Sequence, residues 1–89
     1  MSSGLSREIS RLVGMARFEG IHDHDTIKEL TMVVGYAYLA ELHPQCSTQL
    51  RKHLEAFIDL ACTRGHRELC GHSSKIIEMF DGNDSTEAA

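Results

Sequence analysis

The 89-residue chain has no complete sequence signature of catalysis, nucleotide binding or metal binding. It lacks a glycine-rich phosphate-binding loop and a Cys-x-x-Cys pair. A nucleophilic enzyme would also need a base beside its serine or cysteine and enough chain to shield a cleft from water. We therefore expect that the protein is not an enzyme and that it uses no cofactor.

The chain also lacks a long apolar run and an excess of positive charge. Its most apolar stretch, residues 30–42, is 13 residues long, whereas a helix that crosses a bilayer needs about 18 or more. The formal net charge is -4, so no overall positive field attracts a phosphate backbone. The composition therefore argues against a membrane span and against nucleic acid as the main partner.

Cysteine is scarce, and its number is odd: the three are Cys46, Cys62 and Cys70. The opening residues Met-Ser-Ser-Gly-Leu-Ser have neither the cationic start nor the apolar run of a secretory leader. Free thiols in a reducing compartment are the simplest reading of this pattern. We therefore expect a cytoplasmic protein.

The sequence shows no strand-like alternation and no internal repeat, and its apolar residues recur at helical spacing. This spacing predicts a first helix over about residues 3–19 that ends at Gly20. A capping box of Thr26 and Glu29 predicts the start of a second helix. That helix is expected to end at Leu42, because Pro44 disfavours helical geometry in the residue before it.

Two further helices follow in the second half of the chain. Ser47 or Thr48 is expected to cap a third helix. A shorter fourth helix is expected to end at Gly82, with Gly71 as a point where it could be divided. Residues 83–89 are small and polar, so we expect them to form a disordered tail.

These elements predict an all-α fold: a small antiparallel bundle of three long helices plus a shorter fourth, in one domain over residues 1–82. The second helix, from Thr26 to Leu42, is expected at its centre. The residues predicted to face inward are Leu5, Ile9, Leu12, Val13 and Ala16 in the first helix, Ile27, Leu30, Val34 and Ala37 in the second, Leu50, Leu54, Phe57, Ile58 and Ala61 in the third, and Leu69, Ser73, Ile76, Ile77 and Phe80 in the fourth.

The second helix is apolar nearly all round, so it is either the core helix of a bundle or part of an interface between chains. A chain of this size forms only a small core, and self-association would add to the buried area. We expect the exposed part of the helix to form a dimer or partner interface at Val33, Tyr36, Leu39 and Ala40. The expected function is that of a small cytoplasmic regulatory or adaptor protein, a homodimer that acts by protein–protein binding.

A zinc-binding regulator is one alternative. Cys62, His66 and Cys70 follow at steps of four residues, and thiolates with an imidazole can share a tetrahedral zinc ion. The alignment of the three side chains requires that the helix run through Gly65, whereas glycine is expected to interrupt it. Buried or surface residues without a metal are therefore the simpler interpretation.

A DNA-binding regulator is another alternative. The Ala61-x-x-x-Gly65 spacing resembles the turn of helix-turn-helix DNA-binding motifs, and Arg64, Arg67 and Lys75 would then be exposed together for contact with DNA. The resemblance covers about 15 residues. The sequence departs from the motif where the recognition helix needs apolar packing residues, at His66, Gly71 and Ser74.

The run His22-Asp23-His24-Asp25 combines imidazoles and carboxylates, as metal sites and acid–base pairs do. Alternate residues of an extended linker point in different directions, however. Aspartate at the start of a helix is favoured by capping and by the helix dipole. We expect this run to cap the second helix.

Overall fold

The computed structural model describes the backbone of residues 2–88 and the side chains of residues 4–79. The chain forms four α-helices, and no strand occurs within residues 2–88, so the predicted all-α class is confirmed. A short 3₁₀ turn, Pro44–Cys46, leads into the third helix. The helices are α1 (Ser2–Glu19), α2 (His24–Leu42), α3 (Ser47–Thr63) and α4 (Arg67–Ala88).

The four helices pack as a ring, in which α1 contacts α2, α2 contacts α3, α3 contacts α4 and α4 contacts α1. Within the described residues, no contact joins α2 to α4 or α1 to α3 across the ring. Ser6, early in α1, donates a hydrogen bond to Glu41, late in α2. Arg64, just after α3, pairs with Asp23, just before α2. Neighbouring helices are therefore antiparallel, but α2 is not the central helix, because it has the bundle on one side only.

The core contains side chains from all four helices. The inward faces predicted for α1, α3 and α4 are confirmed at their main positions, since each of those helices has one continuous apolar face. The predicted face of α2 is wrong at two positions, Ile27 and Val34, which are exposed. The buried core residues are Ile9, Leu12 and Ala16 of α1, Val33 and Ala37 of α2, Leu50, Leu54, Phe57 and Ala61 of α3, and Leu69 and Ile76 of α4, together with the buried polar residues Thr26 and Ser73.

The starts of α2 and α3 differ from the sequence prediction. Asp23, rather than Thr26, caps α2, and its carboxylate accepts hydrogen bonds from both the backbone N–H and the hydroxyl of Thr26. The predicted capping box is therefore wrong, whereas capping by an aspartate of residues 22–25 is confirmed. Ser47 does not cap α3 but lies inside it, and its hydroxyl donates to the carbonyl of Pro44 at 2.6 Å.

The fourth helix is the longest rather than the shortest, with 22 residues. It continues through Gly71 and past Gly82, so the predicted end at Gly82 is wrong. The backbone of residues 83–88 is part of α4. The disorder expected of residues 83–89 stays a prediction. Phe80, predicted to face inward, lies outside the residues whose side chains are described.

Two glycines end helices in the left-handed region of backbone conformation, which only glycine adopts without strain. Gly20, with φ of 68°, ends α1 as predicted. Gly65, with φ of 83°, lies between α3 and α4, and the N–H of His66 donates to the carbonyl of Ala61 at 2.9 Å. The chain therefore reverses sharply over residues 62–70.

Candidate functional site

The side of α2 that points away from the bundle is apolar along most of its length. Seven large apolar side chains are exposed among the described residues, and five of them belong to α2. The exposed fraction runs from 40% at Leu39 to 71% at Tyr38. Helical spacing keeps most of these residues on one side of the helix. We call this surface the outer face of α2, and it consists of Ile27, Val34, Tyr38, Leu39 and Leu42.

The outer face overlaps the predicted interface at one residue only, Leu39. Val33 is fully buried in the core, and Tyr36 and Ala40 are half-buried against it. The prediction of Val33 as an exposed interface residue is therefore wrong. A helix that is apolar nearly all round has no polar face to mark the solvent side, so its periodicity does not show which side meets the bundle.

Polar contacts to α3 orient the inner side of α2. The ring of Tyr36 stacks on the imidazole of His53, with ring centroids 5.3 Å apart and planes 7° from parallel. His53 Nδ1 lies 2.8 Å from Glu29 Oε1. The sequence pattern does not predict that Glu29, Tyr36 and His53 come together. Its only local signal is that Glu29 and Tyr36 are seven residues apart, which places them on the same side of a helix.

A cluster of charged side chains attaches the start of α2 to the turn between α3 and α4. The guanidinium of Arg64 donates to the carboxylates of Asp23 and Asp25, the latter at 3.2 Å. His66 Nε2 lies 3.6 Å from Asp23 Oδ1. The Asp25 and Asp23 carboxylates raise the pKa of Arg64 above its ordinary value. These contacts join residues about 40 positions apart, so spacing along the sequence could not predict them.

The hydrogen bond from the Thr26 hydroxyl is the main reason why the pKa of Asp23 is lowered to about 2. Partial burial opposes this shift, while the Thr26 N–H and Arg64 support it. The ordinary pKa of an aspartate in an unfolded chain is close to 3.8. The ionised form of Asp23 is therefore the form that the folded protein stabilises.

Acidification is expected to destabilise the protein through Asp23. Its contribution to the free energy of unfolding is complete above about pH 4 and is lost as the pH falls toward 2. In this range the carboxylate is protonated in the unfolded chain but still ionised in the folded chain. The check is the urea unfolding midpoint at about pH 5 and about pH 2.5, for the wild type and for Asp23→Asn. Asparagine also caps helices but carries no charge, so the variant should lose less stability on acidification. An equal loss in both proteins would contradict the role of Asp23.

The predicted zinc ligands do not come together as a metal site. Cys62 and Cys70 are joined by a disulfide, with their Cα atoms 5.1 Å apart, and His66 lies beside Asp23 instead. Among the side chains of residues 4–79, no group of three or more His, Cys, Asp or Glu is placed to hold a metal ion. The third cysteine, Cys46, is free and half-buried.

The basic residues of the DNA-binding alternative, Arg64, Arg67 and Lys75, are all exposed. Arg67 and Lys75 are exposed on α4, but the charge of Arg64 is paired with two carboxylates. Lys75 lines a shallow groove of about 330 Å³ between α1 and α4, together with the acidic Glu68. The three residues are therefore exposed as the alternative requires, although the charge of Arg64 already has two carboxylate partners, and DNA binding stays a prediction.

None of the helices within the described residues has the length and apolar character needed to cross a membrane. Comparison with known proteins finds no matching family model, no matching curated protein and no matching solved structure.

Proposed function

We propose that this chain is a small regulatory or adaptor protein that binds another protein through the outer face of α2. The observation that supports it is a row of large exposed apolar side chains on a helix whose opposite side is packed in the core. A helix that is apolar on both sides is either surrounded by its own bundle or covered by another chain. The ring arrangement leaves one side of α2 uncovered by the bundle, which supports the second case.

The extent of the outer face fits a binding surface better than an ordinary protein surface. Single exposed apolar residues are common in folded proteins and need no explanation. Five on one helix are different, because extended apolar patches mark sites of interaction; the exposed Thr31 lies between Ile27 and Val34 on the same side. From Ile27 to Leu42 the row spans about 22 Å at 1.5 Å per residue. A helix face of this length suits packing against a groove or against another helix.

Tyr38 is the most exposed member of the row. Tyrosine is enriched at interfaces between proteins because it supplies a large apolar area and a hydroxyl that can form hydrogen bonds. Residues of this type often carry most of the binding free energy of an interface. In this proposal Tyr38 is the principal contact residue of α2.

The proposed mechanism is binding, without a chemical step, and the proposed location is the cytoplasm. We also propose a homodimer as the resting form, since self-association would cover the outer face in the absence of another partner. A small core gains most from such added burial.

The proposal is tested by Tyr38→Glu, which places a charge on the outer face. Tagged wild type, Tyr38→Glu and the control Gln49→Glu are purified from the cells that make the protein, and co-purifying proteins are quantified by mass spectrometry. Gln49→Glu adds the same charge at an exposed position of α3. We expect at least one protein to be retained by the wild type and the control, and to fall about tenfold or more with Tyr38→Glu.

The design separates loss of binding from loss of folding. Tyr38 is largely exposed, so the circular dichroism spectrum and unfolding midpoint of Tyr38→Glu should match those of the control. If the three proteins retain the same set of partners in equal amounts, the outer face of α2 is not a binding surface and the proposal is wrong.

A further inference from the structure

We propose that Cys62 and Cys70 form a reversible thiol–disulfide site that exchanges with small-molecule thiols and disulfides, and that Cys62 is the sulfur that reacts first. This site is separate from the outer face of α2. It lies where the chain reverses between α3 and α4 and is independent of the proposed binding function.

Backbone hydrogen bonds, in addition to the disulfide, hold the two cysteines close to each other. Cys62 lies in the last turn of α3 and Cys70 in the first turns of α4, only eight residues later. The turn between them is closed by backbone hydrogen bonds, from Arg64 to Leu60 and from His66 to Ala61, each at 2.9 Å. Their Cα separation of 5.1 Å lies within the usual range for a disulfide, about 4.4–6.8 Å. The reduced pair is therefore positioned to close again.

The two sulfurs differ in their access to solvent. Cys62 is exposed, whereas Cys70 is half-buried and packs against the hydrophobic core. Thiol–disulfide exchange requires a thiolate to approach the sulfur that it attacks, so access decides which sulfur reacts. A thiol or disulfide from solution therefore meets Cys62 before Cys70.

The position of Cys70 suits the complementary role of leaving and resolving thiol. It is in the fourth position of α4, which begins at Arg67. Its own N–H donates to the carbonyl of His66 at 2.9 Å, so Cys70 is held at the end of the turn that carries Cys62. When a thiolate from solution attacks Cys62, Cys70 is therefore the leaving sulfur, and it is in place to attack Cys62 again.

The oxidation step uses a low-molecular-weight disulfide, such as glutathione disulfide, as the oxidant. The Cys62 thiolate attacks one sulfur of this disulfide, a protein–glutathione bond forms, and one glutathione thiolate leaves and takes up a proton. The Cys70 thiolate then attacks the Cys62 sulfur, and the second glutathione leaves. The protein loses two electrons and two protons, and one glutathione disulfide becomes two glutathione thiols.

The same turn is attached to the start of α2. Arg64 and His66 lie between the two cysteines and contact Asp23, the capping residue of α2. The disulfide restricts the turn that carries both side chains. In the proposed cytoplasmic location the dithiol form would prevail. Oxidation would then restrict the motion of the turn to which the start of α2 is attached.

The test follows the reaction of the reduced full-length chain with glutathione disulfide by intact-mass spectrometry of acid-quenched samples. All proteins carry Cys46→Ser, which removes the third thiol. With Cys62 and Cys70 present, we expect loss of two hydrogens and no lasting adduct. With Cys70→Ser, we expect one glutathione to accumulate at Cys62. With Cys62→Ser, the adduct at Cys70 should form at least about tenfold more slowly, because that sulfur is half-buried.

A parallel reaction in concentrated guanidinium serves as the control for folding, because both single-cysteine proteins should then react at similar rates. Equal rates for the two in the folded state would overturn the assignment of Cys62 as the first sulfur to react. Lasting adducts on the protein with both cysteines, without internal bridging, would overturn the site itself.

Discussion

Val33→Glu is expected to remove a large part of the protein's stability, whereas Val34→Glu leaves the stability nearly unchanged. Val33 is fully buried in the core, while its neighbour Val34 is 41% exposed on the outer face of α2. A buried carboxylate without a partner costs about 3–5 kcal/mol, and small domains have a total stability of only about 5–15 kcal/mol. A carboxylate at position 34 reaches water, so the change there should be within about 0.5 kcal/mol.

Urea unfolding followed by circular dichroism measures this difference directly, and the two variants are matched controls for each other. They introduce the same residue at adjacent positions of one helix. A Val33→Glu protein that unfolds at the wild-type midpoint would mean that α2 turns its other side to the bundle.

The Val34→Glu protein has a second use, because its mass by light scattering tests the proposed homodimer. We expect it to be monomeric at concentrations where the wild type is dimeric.

Reduction of the Cys62–Cys70 disulfide is expected to lower the free energy of unfolding by about 2–3 kcal/mol. The bond closes a short loop, with a sequence separation of eight, and cross-linking restricts the unfolded chain by an amount that grows slowly with loop length. In a domain of this size the loss corresponds to a fall in melting temperature of about 10–20 °C.

The measurement is thermal unfolding of the oxidised protein, the reduced protein and Cys62→Ser. The last two should agree, because both lack the cross-link. Cys46→Ser is the matched control, since Cys46 is free and half-buried, and its unfolding should still depend on reduction as the wild type does. An oxidised protein that melts at the same temperature as the reduced one would show that the bridge does not constrain the chain.

The disulfide corrects the expectation that all three cysteines are free thiols. The odd number of cysteines suggested three free thiols, but the fold pairs two of them and leaves one. Nothing in the spacing of Cys62 and Cys70 marks a pair, because a helix running through Gly65 would put them on one face without joining them. The reversal at Gly65, with its positive φ, brings the two sulfurs together.

The core faces of three helices could be predicted because each has one apolar side and one polar side. In α3, Leu50, Leu54 and Phe57 recur at helical spacing, while Lys52, Glu55 and Asp59 are exposed. The end of α1 at Gly20 and the end of α2 before Pro44 follow from local backbone preferences. The length of α4 does not follow from the position of its glycines, because a helix tolerates a single glycine at a cost of about 1 kcal/mol and α4 continues past Gly82.

The apolar residues of α2 lie on both of its sides, so their spacing alone predicts that one side needs a partner if the other meets the core. Which of the two sides meets the core depends on contacts with the rest of the fold. The hydrophobic effect is proportional to buried area and has no direction, so it does not distinguish Val33 from Val34. Directional contacts with distant parts of the chain accompany the observed orientation. His53 contacts Tyr36 and Glu29, and Arg64 pairs with Asp23 and Asp25. In this orientation Tyr38 and its neighbours on the outer face lie in solvent.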